Sequence, residues 1–390
     1  MAEIIYTNNH TVGEQKGEIE LRAEGSEELI KSLATMAMDF MKGGASQETK
    51  TVQVTKPERI GDTECDVVAI YDNAGIPSFM HRFRKVTNKE LFGGADKTHP
   101  AFIIGGEEYD EIFISVYENT MINGKPYSLP FQKPAVNITI EDFAAACFSK
   151  GEGWHCMTAA EWGLLANLSL KNGTLPNGNT NYGKYNADEN ETGETYGGGK
   201  TLTGSGPATW THNHKPTGVH DLCGNIYEFC RGMRIKNGVL YAAENNDAAL
   251  PETDLSENGN GWREIKDNKG SALRVSVDEE EGEIEIDGDE RYSEGYLGRR
   301  WKDISVYTDS EQMKELAMYA GEPDVFCWID STEGEYILIR GGVWYFGAGA
   351  GVFYSDLHDA RSSSRDSFGG RSAYFKKHST QGTDTLNAER

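Results

Sequence analysis

The stretch Arg340-Gly341-Gly342-Val343-Trp344-Tyr345-Phe346-Gly347-Ala348-Gly349-Ala350-Gly351-Val352-Phe353-Tyr354 contains residues of two kinds, and so does its continuation through Ser355 to Arg361. Trp344, Val352, Phe353, Tyr354, Leu357 and Ala360 are suited to packing as a scaffold, while the small, polar and aromatic residues between them are expected to point outward. No Lys, Glu, Gln or Met occurs between Arg340 and Phe375, although these types are common elsewhere in the chain. The outward set is rich in Tyr, Phe, Ser, Gly, Asp, His and Arg. Antibody paratopes use the same mixture, because aromatics supply contact area at low entropy cost and small polar groups supply adaptable hydrogen bonds. The segment therefore reads as a recognition surface on a rigid frame; the alternative is an ordinary glycine-rich turn region.

Outward from this segment, the other patterns are short. Thr158-Ala159-Ala160-Glu161-Trp162 has capping-box spacing and predicts a helix, and Glu141 to Cys147 predicts another. Residues 26 to 42 place Leu29, Leu33, Met36, Met38, Phe40 and Met41 at roughly helical spacing, with a Met-rich face that suits either core packing or assembly. Residues 51 to 86 alternate around turn signals and predict short strands, and 111 to 117 predicts another. The acidic run from Asp278 to Glu290, with Ile284 and Ile286, predicts a solvated edge hairpin rather than a calcium loop. Between Lys171 and Thr217, Tyr182, Tyr185, Tyr196 and Trp210 predict an ordered loop pinned by aromatic anchors.

The chain has 390 residues, 45 of them glycine, and a hydrophobic content of 37%. These values indicate a loop-rich protein of one large irregular domain and a smaller N-terminal one. A formal charge of −24 disfavours nucleic acid phosphates and anionic lipid as partners. No basic segment precedes an apolar run near Met1, and no apolar stretch approaches the roughly 18 residues of a membrane span. A soluble chain without membrane insertion, made without Sec export, is expected. Cys65, Cys147, Cys156, Cys223, Cys230 and Cys327 form no C-x-x-C pair and read as buried free thiols. His212 and His214 lack a third partner nearby and read as solvated loop histidines rather than metal ligands.

Four stretches, taken in order, resemble the formylglycine-generating-enzyme branch of the C-type lectin fold: Pro134 to Thr139, Met157 to Trp162, Asp221-Leu222-Cys223-Gly224-Asn225-Ile226-Tyr227-Glu228-Phe229, and Arg340-Gly341-Gly342-Val343-Trp344 with a terminal Gly370-Arg371. The resemblance covers roughly residues 100 to 375. It implies a C-type-lectin-like, loop-rich α+β fold with a small N-terminal α/β region, divided as 1–95, a ligand-binding domain at 96–376 and a tail at 377–390. The oxidising members of this branch carry two cysteines after the Arg-Gly-Gly motif. Here those positions hold Phe346 and Gly351, and no cysteine follows Cys327, so no enzymatic activity of that type is expected.

Within this fold the segment from 340 to 375 is similar to the variable proteins of diversity-generating retroelements, in which Asn codons copied from a template repeat are randomised. That resemblance implies variable positions at Val343, Tyr345, Phe346, Gly349, Ser355, Asp356, His358, Asp359, Ser363, Arg365, Asp366, Ser367 and Phe368, all of residue types such codons permit. It implies a fixed scaffold of Arg340, Gly341, Gly342, Trp344, Arg361 and Arg371. It also implies a structural calcium held by the side chains of Asp221 and Glu228 and the carbonyls of Gly224 and Ile226, although the family carries Asn where this chain has Asp221. The alternative for Glu228 is a hydrogen bond to core backbone. The implied function is a hypervariable receptor-binding protein, at a phage tail or in the bacterial cytoplasm before assembly. Its partner would be a protein or glycan on a bacterial surface, bound through many copies and hence by a homo-oligomer.

Overall fold

The computed structural model describes residues 9–12, 15–18, 66–288, 293–319 and 324–377. The helix expected at 26–42, Cys65 and all but the first residue of the 377–390 tail lie outside these. The protein is α+β and built mostly of sheet; among the described residues the α-helices are Asn88–Phe92, Ile140–Phe148, Ala159–Lys171 and Glu311–Glu315. None is long and apolar enough to cross a membrane.

The helix Ala159–Lys171 begins where the capping box predicts. The Thr158 side chain accepts from the Glu161 amide, and the Glu161 carboxylate accepts from the Thr158 amide. Glu161 is fully buried and takes two further donors, His155 Nε2 at 2.8 Å and Asn246 Nδ2 at 3.1 Å. On the same helix Trp162 is buried completely, with its indole N–H on the Val352 carbonyl at 2.6 Å. Truncating such a tryptophan costs about 3–5 kcal/mol. A Cβ at Gly163 would stand 1.9 Å from the Glu315 carbonyl, so only glycine lets the short helix Glu311–Glu315 cross here.

Two sheets carry the fold. A five-stranded antiparallel sheet runs in the order Trp154–Cys156, Ser372–Tyr374, Glu111–Ser115, Pro77–Arg84, Val67–Tyr71. A domain boundary at residue 95 would cut this sheet: the strands expected for an N-terminal region pair directly with the strand at 111–115, with Phe83 packed into the core that holds Ile112 and Ile114 on one face and Met80 packed with Phe113 on the other. The larger sheet has eleven strands. Its main path is Tyr296–Arg300, Phe326–Asp330, Gly351–Asp359, Glu335–Gly341, Tyr227–Lys236, Val239–Ala243, Arg274–Asp278, Glu283–Asp287 and Ser305–Val306, with Trp262–Glu264 and Phe368–Gly369 attached at the side. The strand Gly351–Asp359 lies third along it, parallel to Phe326–Asp330 on one side and antiparallel to Glu335–Gly341 on the other.

The acidic run forms the expected hairpin, pairing Asp278 with Glu283. It is not a free edge: Ser305–Val306 adds in parallel outside it, and Ile284 and Ile286 are buried in the core. The 171–217 region is a long loop with brief pairing at Thr195–Tyr196 and Lys200–Thr201 and isolated bridges such as Asn179 to Gly224 and Thr211 to His220. Trp210 anchors it as expected, but Tyr182 is 61% exposed and anchors through its backbone instead. The five described cysteines are free and buried.

Candidate binding face

The strand Glu335–Gly341 ends in two glycines with positive φ, 89° and 84°, which turn the chain out of the sheet. Arg340, just before them, is fully buried and donates to the Leu316 carbonyl and the Ser355 hydroxyl. The turn is then clamped from the glycine-rich loop. The Tyr182 amide donates to the Trp344 carbonyl at 2.7 Å, and the Gly347 amide to the Thr180 carbonyl at 2.9 Å. Lys200 Nζ sits 4.4 Å from the Trp344 ring and donates to Asp366 Oδ2 at 3.0 Å, tying the turn to the later 365–368 segment.

The sequence-predicted positions separate into two groups. Tyr345, Arg365 and Asp366 are exposed, and Phe346, His358 and Ser363 are half-buried. Val343, Gly349, Ser355, Asp356, Asp359, Ser367 and Phe368 are buried, against the expectation that all would face outward. The reason is the position of Gly351–Asp359 inside the sheet: both faces are covered, so the alternation of in and out is lost. Ser355 receives Arg340, Val343 and Phe368 pack with Tyr227, Phe229 and Tyr354, and Gly349 sits between the rings of Phe346 and Phe326. Of the expected scaffold, Trp344, Val352, Phe353, Tyr354 and Leu357 are buried, whereas Ala360 is exposed.

Around the exposed group runs a chain of aromatic rings that the sequence reading missed in part. Tyr296 stacks on Trp328 at 5.5 Å, Trp328 on Phe326 at 6.2 Å, Phe326 meets Phe346 edge-on at 6.0 Å, and Phe346 meets Tyr354 at 5.3 Å. Phe326 and Trp328 come from a strand whose other residues, Cys327 and Ile329, face the core. Its alternation was the signal available for finding them. The Trp328 indole N–H has no hydrogen-bond partner.

Polar groups are set into this wall. Tyr354 OH donates to Asp356 Oδ2 at 3.0 Å and lies 3.2 Å from Tyr227 OH. Arg365 donates to Asp359 Oδ1 at 2.6 Å. Burial, with Asp356 close by, pushes the Asp359 carboxyl up. Burial works against charge on His358, but the Asp356 and Asp359 carboxylates outweigh it and hold the imidazole above its ordinary value. Such a mixture of aromatic area, unsatisfied donors and opposite charges can bind a polar surface that also offers apolar contact. Arg361 closes the neighbouring side, bridging Glu335 and Glu141. An open depression of about 510 Å³ beside it is lined by those residues with Thr139, Glu257, Ala360 and Ser362, and Glu257 itself pairs with Lys236.

The calcium expected from resemblance does not fit its residues. Both oxygens of Glu228 are taken by Arg371, through Nε at 2.6 Å and Nη2 at 2.5 Å, so a cation there would face a guanidinium. Asp221 Oδ2 accepts from the Gly204 amide at 2.7 Å. Arg371 also reaches the Ser115, Val116 and His220 carbonyls, and it is the buried counter-charge for Glu118, Asp221 and Glu228 together. Burial pushes Asp221 up to about 6 and Glu118 further above the carboxylate range. His212, expected as a solvated loop histidine, is instead buried against His81 and Phe83, with its Nδ1 accepting from the Val219 amide at 2.8 Å.

Compared with known proteins, the chain matches no family model and no curated protein.

Proposed function

We propose that the chain is a ligand-binding protein of C-type-lectin-like fold, and that its recognition face is a retroelement-diversified surface centred on Tyr345, Phe346, His358, Arg365 and Asp366. The observation that carries the reading is a coincidence of two independent facts. Phe346 and His358 of the 340–375 segment join one aromatic wall, with Arg365 bonded to Asp359 beside it, and the whole segment lacks Lys, Glu, Gln and Met, types that randomised Asn codons never encode. The resemblance in fold is supported by how its motifs meet. The Met157 amide donates to the Arg371 carbonyl, Gly224 donates to Gly341, and Glu228 is both the strand partner of Arg340 and the ion-pair partner of Arg371.

On this reading the chain is a receptor-binding protein of a phage or prophage. It takes a protein or glycan on a bacterial surface and gains avidity by assembling as a homo-oligomer. Calcium is not needed to explain the Glu228 site.

Deep sequencing of sister clones tests the proposal. Substitutions are expected at Tyr345, Phe346, His358, Ser363, Arg365 and Asp366, with Val343, Ser355 and Phe368 held nearly constant by their burial, and with a near-identical template repeat and a reverse transcriptase gene close by. A uniform 3′ end without a template would leave a binder of fixed specificity. In a clone with a known ligand, Tyr345→Ala is expected to abolish binding while changing stability by no more than about 0.5 kcal/mol, since Tyr345 is half exposed.

A further inference from the structure

The turn of the glycine-rich loop that clamps Trp344 carries a side chain the fold does not use. Tyr182 has a φ of 50° and is 61% exposed. Left-handed backbone is costly for a bulky residue, and of the ten non-glycine residues with positive φ among those described, seven are Asn, Asp or His, which tolerate it. The turn itself is pinned: the Gly183 amide donates to Asn179 Oδ1 at 2.6 Å, the Thr180 amide to the Lys184 carbonyl at 3.0 Å and the Lys184 amide to the Asn181 carbonyl at 3.1 Å. Asn179 Nδ2 donates to the Gly199 carbonyl at 2.9 Å, and a Cβ at Gly199 would stand 2.8 Å from Tyr182 Cδ1, so the base of the ring rests on that glycine. Glycine at 182 would keep the amide bond to the Trp344 carbonyl and relieve the backbone. The position instead holds a tyrosine whose hydroxyl and ring have no hydrogen-bond, aromatic or cationic partner among the described residues. Strain of this kind, kept for a side chain that folding does not need, points to a contact outside the chain.

We propose, on the reading of the 340–375 segment as a diversified face, that Tyr182 is the invariant contact residue of that face and that the partner it fits is a protein surface. The Tyr182 amide meets the carbonyl of the Trp344–Tyr345 peptide, so a constant tyrosine and a variable one stand at the same peptide, 61% and 49% exposed. Residue 182 lies outside 340–375 and stays while Tyr345 changes. An invariant residue has to find the same feature on every ligand the face meets. Protein surfaces all offer apolar patches and main-chain polar groups, which a ring with a free hydroxyl contacts at low entropy cost. Arg365 and Asp366 are engaged with Asp359 and Lys200, so what the two tyrosines add is aromatic area and hydroxyls rather than free charged groups to grip sugar hydroxyls. Holding the loop in place before binding removes the cost of ordering it in the complex.

The test is a display library of the full chain, randomised at Tyr345, Phe346, His358, Ser363, Arg365 and Asp366 and selected in parallel against lysozyme and against immobilised dextran. Selected clones are then moved onto Tyr182→Gly, Tyr182→Asn and Tyr182→Phe. Lysozyme binders should weaken at least about tenfold in Tyr182→Gly and Tyr182→Asn, and less in Tyr182→Phe, which keeps the ring. Melting temperatures should stay level or rise in the first two, because both residues accept positive φ. Lysozyme binders that keep their affinity in all three variants would overturn the assignment while leaving the diversified face intact. So would melting temperatures lowered in both Tyr182→Gly and Tyr182→Asn, which would give the ring to folding, and dependence on Tyr182 confined to dextran binders, which would make the partner a glycan. A library without binders to either target would remove the recognition face itself, and its anchor with it.

Discussion

Replacing Arg371 by methionine removes the centre of the buried polar network and gives the strongest expected effect on stability. The side chain is fully buried, donates to both oxygens of Glu228 and reaches three backbone carbonyls, on Ser115, Val116 and His220. Leaving a buried charge without its partner costs about 3–5 kcal/mol, and the orphaned carbonyls add on the order of 1 kcal/mol each. The total is comparable to the whole stability of a domain, roughly 5–15 kcal/mol. Urea unfolding followed by tryptophan fluorescence, with linear extrapolation, is the assay. Arg371→Met should lose at least about 4 kcal/mol or fail to fold. Glu228→Gln should lose less, because Arg371 still faces Glu118 and Asp221. Since the two residues are in contact, the double variant should lose less than the sum of the singles by about 1–3 kcal/mol. If Arg371→Met costs under about 1 kcal/mol, or if the two changes simply add, the pair does not hold this part of the fold together.

Two more outcomes follow from buried groups elsewhere. Burial lowers His81 and His220 to about 4, so in the folded state they stay neutral where the unfolded chain would already bind protons; stability should be full above about pH 6.5 and fall as pH drops toward 4, by about 3 kcal/mol per histidine at the lower end. The Asp221 and Glu118 carboxyls, pushed up by burial, act with the opposite sign over the same range, so the readout is the difference between variants. His81→Phe, which keeps the stack on Phe83 at 4.6 Å, should lose less stability than the wild type between pH 7 and about 4.5, and equal losses would contradict the histidine effect. Gly224→Ala would bring a Cβ to 2.0 Å from the Asn179 carbonyl at a φ of 77°, and should cost more than about 2 kcal/mol in the same urea assay; an unchanged midpoint would show that the loop at 179 yields freely.

Several elements were legible because their cause is local. The Thr158–Glu161 capping box, the hairpin at 278–283 and the helix begun by Thr139 depend on hydrogen bonds spanning a few residues, and each stands where the pattern predicts. The burial of Trp344, Val352, Phe353 and Leu357 was legible from residue type. Of the proposed recognition face, Tyr345, Phe346, Arg365 and Asp366 were read from sequence, while Tyr296, Phe326 and Trp328 were not, because alternation within a strand marks its outward residues but does not say which distant segment they meet. The same limit explains the misplacement of Asp356 and Asp359 as outward-facing. They are buried because neighbouring chain covers them, and nothing in their own stretch records that cover.

The sequence by itself determined that this is an α+β chain rich in ordered loops, with a terminal segment of restricted residue types and an Arg-Gly-Gly turn that must bend where glycine alone permits. Only the tertiary structure decided which side of that segment meets solvent and what Glu228 pairs with. Arg371 lies 143 residues from Glu228, and the strands flanking Gly351–Asp359 arrive from separate turns of the chain. Local sequence governs backbone conformation through sterics and short-range hydrogen bonds; burial and charge pairing depend on which distant groups the fold brings within a few ångströms.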